Sequence, residues 1–439
     1  MKSLKYSVFL FKVMLGLLLT GSPLYAQNPI TTYKGVSDPH IRVFNDTIYL
    51  YSGHDSNPKD ETWVMKDWRV FSSTNLLDWK HIQTISPRNN YMDNNSEDCW
   101  ASDAISRNGN YYFYFSDRKR GIGVMKAKHP SGNFVDALNK PLVAPLHDPT
   151  IFIDNDKNKS PYIIYGDKSD AYYISKLNDD MVSLAETPRP ILITGKAWEN
   201  APEWMDKNYL FKHKNRYYLS WGNQYAVSKN IYGPYECMDS VGAGYKLGEF
   251  AHGSFFTWKG QFYHIWCYYI DNAYKFRESI ITYCHIDDNG YIVTDTNFLD
   301  KHFSNGVGQY KASWDKIEAE WFYEKSSNIE KKGLKGDGFR ITNIKDGSWI
   351  RYAEMLFENE NFELEVYLKD IQGKGVLELR QGTINGESLG KVFIDASNQK
   401  LKYSLKNLKC LKGKSDLYLT FTGNKNFKIE LDYFKFLRQ

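Results

Sequence analysis

The sequence has little cysteine, no block of like charge and, beyond its N-terminus, no long hydrophobic run. Its 439 residues contain five cysteines with no CxxC spacing, which argues against a disulfide scaffold or a zinc site. The formal net charge is +4, with Lys, Arg, Asp and Glu spread along the chain, so a nucleic-acid partner is not indicated. Long segments with helical periodicity are also missing after the N-terminal run.

The hydrophobic run at the N-terminus predicts export. Two lysines precede an apolar stretch from Val8 to Leu19, and SPLYA follows. This pattern is typical of a secretory signal peptide over residues 1–26, with cleavage after Ala26. The run is short for a membrane anchor. We therefore expect a periplasmic or secreted protein with no membrane insertion after the signal is removed.

Aromatic residues are abundant, with 33 Tyr and 12 Trp in an aromatic share of 16%. Aromatic side chains favour β-strands, and they also stack on the apolar faces of sugars. Short runs with two-residue alternation, separated by Gly, Asn or Asp, dominate the chain. The sequence therefore predicts an all-β protein.

One pattern occurs five times: a polar residue, an apolar strand, a turn and a Tyr-rich strand. The starts are about 45 to 65 residues apart, close to the length of a four-stranded propeller blade. The copies are DPHIRVFNDTIYLYS from Asp38, DAISRNGNYYFYFSD from Asp103, DPTIFIDNDKNKSPYIIYGD from Asp148, DKNYLFKHKNRYYLSWG from Asp206 and HGSFFTWKGQFYHIWCY from His252.

These repeats predict a five-bladed β-propeller over residues 27–312. The innermost strand of each blade lines the central channel, so we expect the four acids and the histidine that start the repeats to converge on one cavity. An Asp before a strand is also a common turn residue, which is the alternative interpretation. Residues 313–439 contain segments such as WIRYAEMLF and KIELDYFKF and predict a β-sandwich (jelly-roll) domain.

Convergent carboxyl groups are suited to the hydrolysis of a glycosidic bond. That reaction requires one protonated carboxyl to protonate the leaving oxygen and one carboxylate to activate water. Like charges and burial separate the pKa values of neighbouring acids and thus supply both states. Calcium ligands, the main alternative, usually lie within a few residues of one loop.

In order along the chain, SDPHIRVFNDTIYLYSGHD, CWASDAISRNGNYYFYFSD, HDPTIFID, LFKHKNRYYLSWG and HGSFFTWKGQFYH resemble glycoside hydrolase family 43. The resemblance covers about residues 30 to 300. It implies a five-bladed propeller that acts with inversion on arabinose- or xylose-containing plant polysaccharides and requires no cofactor for catalysis.

The resemblance also implies roles for single residues. Asp38 matches the general base, and Asp148 matches the acid that orients the proton donor and tunes its pKa. His252 matches a histidine that lies near the channel axis, beside a bound cation or water in relatives. Arg277 falls where relatives place an arginine that contacts the sugar. Asp103 is expected to contribute to substrate binding.

The proton donor departs from the family pattern, in which a Glu is followed by Gly or Ala. Counting back from the hairpin LFKHKNRYYLSW reaches Asp206, and Asp206 precedes Tyr217 by the same distance as Asp38 precedes Tyr49. Glu203 has the expected side-chain length but lies three residues upstream. Both remain candidates, and Glu199 is a third.

Several aromatic residues near the repeat starts are candidates for sugar stacking. For Trp100 and Trp221, which we assign to substrate binding, blade packing is the alternative. Arg42 and Arg118 are interpreted as surface groups. The candidates are Trp63, Trp68, Trp100, Trp204, Trp221 and Tyr225.

The segments IEAEWF, DGFRITNIKDGSWIRYAEMLF and KIELDYFKF resemble a family 6 carbohydrate-binding module. This resemblance places Glu318, Glu320 and Asp432 at a structural calcium site, which suits hard carboxylate oxygens. The usual aromatic ligand cleft is not matched, so the domain is expected to brace the propeller or shape its cleft.

Together these features predict an exported, monomeric, inverting glycoside hydrolase. Its expected substrates are plant cell-wall oligosaccharides or polysaccharides with terminal α-L-arabinofuranosyl or β-D-xylosyl units. The alternatives are an inactive glycan-binding propeller and an exo-acting hydrolase on galactose-containing side chains.

Overall fold

A computed structural model describes residues 28–92, 95–166, 172–195, 207–242, 253–270, 273–359, 361–410 and 412–438. Strands dominate these residues, which confirms the prediction of an all-β chain. One short α-helix, α1 (Thr296–His302), begins after Asp295, whose side chain accepts a hydrogen bond from Phe298 N. None of the described helices is long and apolar enough to cross a membrane.

The first part of the chain forms five successive antiparallel sheets, one of which gains a short parallel strand. Sheet one contains β1 (Val36–Phe44), β2 (Thr47–Asp55), β3 (Met65–Ser73) and β4 (Lys80–Ile85). Sheet two contains β5 (Cys99–Arg107), β6 (Asn110–Asp117), β7 (Gly121–Ala127) and β8 (Val135–Asp136). Sheet three contains β9 (His147–Ile153), β10 (Pro161–Gly166), β11 (Tyr172–Lys176) and β12 (Arg189–Pro190).

Sheets four and five follow the same plan. Sheet four contains β13 (Ile193–Thr194), β14 (Asn208–His213), β15 (Arg216–Trp221), β16 (Gln224–Ser228) and β17 (Tyr235–Ser240), and β13 pairs in parallel with β17. Sheet five contains β18 (Gly253–Trp258), β19 (Gln261–Tyr269), β20 (Arg277–Ile286) and β21 (Ile292–Thr294).

One edge strand of each sheet contacts its counterparts in the neighbouring sheets, and together these five strands close a ring. We call β1, β5, β9, β14 and β18 the ring strands. Hydrogen bonds of 2.6 to 3.0 Å join every neighbouring pair. They run from Ile41 N to Ser254 Oγ, from Arg42 Nη2 to Asp103 Oδ2, from Ile151 N to Asp103 Oδ2, from Thr150 Oγ1 to Asn208 O and from Tyr209 Oη to Phe255 O.

The hairpins next to the ring use the turn residues that the sequence offers. Asn45 and Asp46 have φ values of 49° and 59°, and Asn108 and Gly109 have values of 50° and 69°. Positive φ at both central residues is the requirement of a type I′ turn, which matches the twist of the flanking strands. Buried aromatic residues then fill the spaces between sheets, with Trp68, Trp221 and Trp266 each at most 1% exposed.

The remainder of the chain forms two six-stranded sheets, which we call the C-terminal sheet pair. One contains β22 (Tyr310–Lys311), β24 (Glu324–Lys325), β27 (Trp349–Phe357), β29 (Lys374–Gln381), β30 (Glu387–Asp395) and β32 (Gly413–Gly423). The other contains β23 (Ile317–Glu318), β25 (Glu330–Leu334), β26 (Gly338–Lys345), β28 (Asn361–Gln372), β31 (Lys402–Lys409) and β33 (Lys428–Arg438). Short 3-10 turns occupy Pro87–Asn89, Ala319–Trp321 and Ala396–Asn398.

A continuous apolar core joins the fifth ring sheet to the C-terminal sheet pair. Tyr263 and Tyr283 of the ring sheet belong to the same buried cluster as Trp321 and Tyr352. Polar contacts reinforce this junction, because Gln261 Nε2 donates to the backbone oxygens of Glu320 and Phe322 at 2.7 and 2.8 Å. The two regions therefore pack on each other through buried apolar contacts and side-chain hydrogen bonds to the backbone.

Candidate active site

Two aspartates lie in equivalent bulges of the ring strands. Asp38 and Asp148 have φ values of 47° and 57°, and each precedes a proline. Proline lacks the N–H that a strand ladder needs, and the pairing of both strands shifts register at this point. Both residues thus lie inside strands β1 and β9, which corrects our expectation that the acid precedes the strand.

Asp38 is 2% exposed and pairs with the buried Arg277. Arg277 Nη1 donates to Asp38 Oδ1 at 2.6 Å, while its Nη2 and Nε donate to Asp55 at 2.9 and 3.0 Å. Burial acts to lower the pKa of Arg277, but the charges of Asp38 and Asp55 raise it well above the ordinary value. One guanidinium therefore serves two carboxylates, and Asp38 is held in a charged, oriented state suited to activating water.

Arg277 was predicted from the sequence to contact a sugar, and the structure shows how it is held. Its guanidinium carbon lies 4.1 Å from the centre of the Trp63 ring. Trp63 in turn contacts the ammonium of Lys275 at 4.4 Å. The arginine therefore contacts both the Asp38 carboxylate and an aromatic ring.

Asp148 is 4% exposed and is fixed mainly through its backbone. Its N–H donates to Ser116 Oγ at 2.7 Å, and its carbonyl accepts from Asn208 Nδ2 at 2.8 Å. His147 Nε2 lies 3.9 Å from Asp148 Oδ2. Contacts from two neighbouring sheets thus hold this strand end in the position that aims the carboxylate.

Lys207 is a buried cation that sequence analysis missed. It is 1% exposed, and its Nζ donates to Pro149 O at 3.2 Å. Its charge interacts with those of Asp38, Asp103 and Asp148. The only sequence signal was its place directly before strand β14, next to the donor candidate Asp206.

Asp103 does not occupy the position that the repeat alignment assigned to it. The bulge of β5 lies between Trp100 and Ser102, and Asp103 is the second residue beyond it, whereas Asp38 and Asp148 lie within their bulges. Asp103 is fully buried. We therefore reassign it from substrate binding to closure of the ring.

The partners of Asp103 correct a second prediction, because Arg42 is not a surface group. Arg42 Nη2 and Nε donate to the two oxygens of Asp103 at 2.6 and 3.0 Å, and His40 Nε2 lies 2.8 Å from Oδ1. Burial acts to raise the pKa of Asp103, but Arg42 and His40 lower it below the ordinary value. Burial also lowers the pKa of His40 to about 3, so His40 is neutral at neutral pH.

The aromatic candidates separate into packing and cleft residues. Trp221 is 1% exposed and packs against Tyr172 with ring centres 6.0 Å apart, so we reassign it from substrate binding to sheet packing. Trp68 and Tyr225 are likewise buried. Trp100 is partly exposed, and the exposed Arg118 lies over its ring at 5.0 Å. Its edge faces His147, with ring centres 5.6 Å apart.

An open cleft of about 460 Å³ begins beside this aromatic surface. Trp63, which covers Arg277, forms part of its wall, as does Arg118, which covers Trp100. The remaining wall is polar and carries charges of both signs. Its lining residues are Thr62, Trp63, Val64, Asn95, Ser96, Glu97, Asp98, Asp117, Arg118, Lys119 and Arg120.

Several predicted site residues lie outside the described residues. They are the donor candidates Glu199, Glu203 and Asp206, the stacking candidate Trp204, and His252. Their assignments stay predictions.

Glu318 pairs with Tyr433, the residue after Asp432, across strands β23 and β33, and it lies two residues before Glu320. The predicted calcium ligands are therefore neighbours, and calcium binding by them stays a prediction. Glu318 pairs with Lys316 at 2.8 Å, and Asp432 pairs with Lys369 at 3.1 Å. Glu320 is buried, which raises its pKa well above the ordinary value and disfavours the charged form that a metal requires. Among the described residues, no group of three or more His, Cys, Asp or Glu side chains could hold a metal ion.

Comparison with known families gives two matches. The model of glycosyl hydrolases family 43 matches residues 26–292, and that of the family 6 carbohydrate-binding module matches residues 318–438. The two matches correspond to the five ring sheets and to the C-terminal sheet pair.

Named relatives are distant but cover much of the chain. A xylosidase/arabinosidase from Bacteroides ovatus is 23% identical over 59% of this chain and 94% of its own length. An arabinoxylan arabinofuranohydrolase from Paenibacillus polymyxa is 22% identical over 90% of this chain and 72% of its own length.

Solved structures share the fold. The family 43 arabinoxylan arabinofuranohydrolase from Bacillus subtilis, in complex with cellotetraose, has a TM-score of 0.54 at 19% identity and covers 95% of this chain and 99% of its own. A GH43_1 enzyme from Xanthomonas citri, complexed with xylose, has a TM-score of 0.54 at 22% identity over 60% of this chain and 91% of its own.

Proposed function

This chain belongs to glycosyl hydrolases family 43, and from that premise we propose that it is an exported, inverting hydrolase that removes terminal α-L-arabinofuranosyl or β-D-xylosyl units from plant cell-wall glycans. The proposal includes a signal peptide over residues 1–26, a five-bladed β-propeller over 27–312 and a β-sandwich over 313–439. The ring of five edge strands supports the propeller interpretation.

The observation that carries the catalytic proposal is the matched placement of Asp38 and Asp148. Both are buried, both have positive φ and both lie in Asp-Pro bulges of ring strands. A non-glycine residue with positive φ is uncommon, and such strained positions cluster at active sites. Two such carboxylates that interact with the charge of one buried lysine are typical of a site where ionisable groups take part in function.

Within this site we assign Asp38 as the general base. Arg277 keeps its carboxylate charged and fixes its orientation, so that it can deprotonate a water molecule for attack on the anomeric carbon. Asp148 orients the proton donor and tunes its pKa. Glu203 or Asp206 is the donor that protonates the leaving oxygen. In an inverting enzyme the base and the acid stand on opposite sides of the sugar, with room for the water.

The substrate class follows from the relatives, whose names refer to xylosides, arabinosides or arabinoxylan. Trp63 lines the polar cleft, and Trp100 lies next to it beneath Arg118. These partly exposed rings are our candidates for stacking on the leaving part of a glycan. The C-terminal sheet pair, which packs on the fifth ring sheet through Gln261, would brace the propeller.

The test is a substrate screen with matched variants. Aryl α-L-arabinofuranoside, β-D-xyloside and β-D-galactoside are offered to wild type and to Asp38→Ala, Glu203→Gln and Asp206→Asn. We expect release from one of the first two substrates, an inverted anomer by NMR and loss of activity in Asp38→Ala. The donor is the residue whose loss spares substrates with an activated leaving group, because such a leaving group does not need the proton.

Two outcomes would overturn the proposal. Wild-type turnover in a folded Asp38→Ala variant would remove the assigned base. Binding of arabinoxylan by calorimetry without any released sugar would instead identify a glycan-binding propeller. Release from the galactoside alone would retain hydrolysis and change the substrate class.

A further inference from the structure

Lys207 is a buried cation, 1% exposed. Resting on the proposed function, we infer that Lys207 is a positioning residue of the hydrolytic site. Its ammonium fixes the Asp148 strand end and supplies the positive charge that keeps the carboxylates of Asp38 and Asp148 ionised during turnover.

The geometry connects Lys207 directly to the Asp148 bulge. Lys207 Nζ donates to Pro149 O at 3.2 Å, one residue after Asp148. The next residue, Asn208, donates from Nδ2 to Asp148 O at 2.8 Å and accepts from Thr150 Oγ1 at 2.7 Å. Two consecutive residues of sheet four thus hold three consecutive residues of sheet three, and the lysine is the charged member of this clamp.

The balance of charge at the ring centre shows what the ammonium contributes. Arg277 is shared by Asp38 and Asp55, and Arg42 is engaged by Asp103. Asp148 pairs with neither arginine in the described contacts, whereas the charge of Lys207 acts on it. Among the described residues, the charged or titratable groups that act on Lys207 are Asp38, Asp103 and Asp148, which attract it, and His40 and Arg42.

A brace for one carbonyl would not require a charge. Burial lowers the pKa of Lys207, while the three facing aspartates act to raise it. A neutral donor could hold Pro149 O without the cost of desolvating an ammonium. The charge is useful because a nearby cation favours the ionised form of a carboxyl group. The base and the tuning acid both need that form.

The test separates charge from hydrogen bonding. Lys207→Gln keeps an N–H donor and removes the charge, Lys207→Met removes both, and Lys207→Arg keeps both. The matched control is Lys212→Met on strand β14, which Lys207 directly precedes. The ammonium of Lys212 pairs with Asp154 at 2.7 Å. The readout is kcat/KM across pH on the aryl glycoside that wild type hydrolyses.

We expect the acidic limb of the pH profile to move to higher pH by about one unit in Lys207→Gln and Lys207→Met, because opposite charges at short range shift carboxyl titration by this amount or more. Activity on the acidic side of the limb would fall about tenfold for each such unit. Lys207→Arg and Lys212→Met should keep the wild-type limb. If the acidic limb of the pH profile did not move in Lys207→Gln, the inference would be overturned. Lys207 would then have only a structural role.

A second readout is independent of turnover. The melting temperature of wild type should exceed that of Lys207→Met by an amount that increases as pH rises from 4 to 7. The reason is that only wild type has the lysine cation near the ionised aspartates. A constant difference would overturn the inference. If wild type hydrolyses nothing and this difference still grows, the charge role holds and the proposed function fails. If Lys207→Met does not fold, Lys207→Gln replaces it in both measurements.

Discussion

The two parts of the chain use acidic residues in opposite ways. At the ring centre, Asp38, Asp55, Asp103 and Asp148 are all at most 4% exposed, and they share a few buried cations. In the C-terminal sheet pair, acids such as Asp432 pair one-to-one with lysines that are about half exposed or more. Because burying charge is costly, the first arrangement fits the proposed active site, and the second is ordinary surface chemistry.

The contrast between the acids of the two regions is tested most strongly by measuring hydrolytic activity. Asp148→Asn should lower kcat by at least about 10²-fold, the lower limit for groups in acid–base catalysis, while the fold is retained. The amide has the same shape but cannot carry the charge that tunes the donor. Activity on the best aryl glycoside, with circular dichroism as the check of folding, measures this effect.

The matched control for this change is Asp395→Asn in the C-terminal sheet pair, where the acid pairs with Lys374 at 2.7 Å. It should leave activity unchanged. If both variants, or neither, lost activity, the contrast between the two regions would fail.

The next effect in size concerns stability. Arg277→Met leaves Asp38 and Asp55 buried side by side without their cation, and removal of one partner of a buried pair costs about 3–5 kcal/mol. The loss should be largest at neutral pH and smaller at acidic pH, where the two carboxyl groups become protonated. Calorimetric unfolding at pH 4.5 and pH 7 measures both.

The control for Arg277 is Arg351 of the C-terminal sheet pair, which also contacts two acids, Glu324 and Asp416, but is partly exposed. Arg351→Met should cost clearly less than Arg277→Met. Equal losses in the free energy of unfolding would show that burial does not determine how much these ion pairs contribute to stability.

The junction between the two regions gives the next prediction, a pH-dependent change in stability of intermediate size. Lys331 Nζ donates to Gln261 Oε1 at 2.7 Å and to Cys284 O at 2.9 Å, and burial lowers its pKa to about 8. Below that pH the folded protein carries a buried charge that costs stability. Between pH 8 and pH 10 the folded state loses this proton before the unfolded state does.

Wild-type stability should therefore rise relative to Lys331→Met over this window, by at most about 1.4 kcal/mol per pH unit. Thermal unfolding from pH 7 to pH 10 measures the difference. Lys335→Met is the control on the neighbouring turn, where the lysine is about half exposed and pairs with Asp239. A wild-type advantage that falls as pH rises would contradict the buried-charge interpretation.

Local features of the fold were predictable, and long-range pairings were not. Asn45-Asp46 and Asn108-Gly109 mark hairpins from sequence alone, and the Asp-Pro steps at 38 and 148 recur at matching places. Asp103 was misplaced because a bulge changes the register between repeats, and a sequence pattern cannot show on which side of a bulge an acid lies.

Arg42 and Lys207 were misjudged or missed for a related reason. Their partners lie 61 and 58 residues away, on neighbouring sheets, and meet them only when the ring closes. A lone cation before or within a strand has the same local pattern whether it faces solvent or a buried acid. Only the three-dimensional assembly distinguishes the two settings.

The smallest expected effect comes from the acids that the family 6 resemblance assigns to calcium. Asp432→Asn removes a half-exposed ion pair with Lys369, so the free energy of unfolding should change by no more than about 1 kcal/mol. Because Glu318 is engaged by Lys316 and Glu320 is buried, calcium should not raise the melting temperature of wild type. Unfolding with excess Ca²⁺ and with chelator, in wild type and in Asp432→Asn, measures both. A calcium-dependent rise in wild type that Asp432→Asn abolishes would show that these carboxylates exchange their lysines for a metal, and the C-terminal acids would then be a binding site rather than surface chemistry.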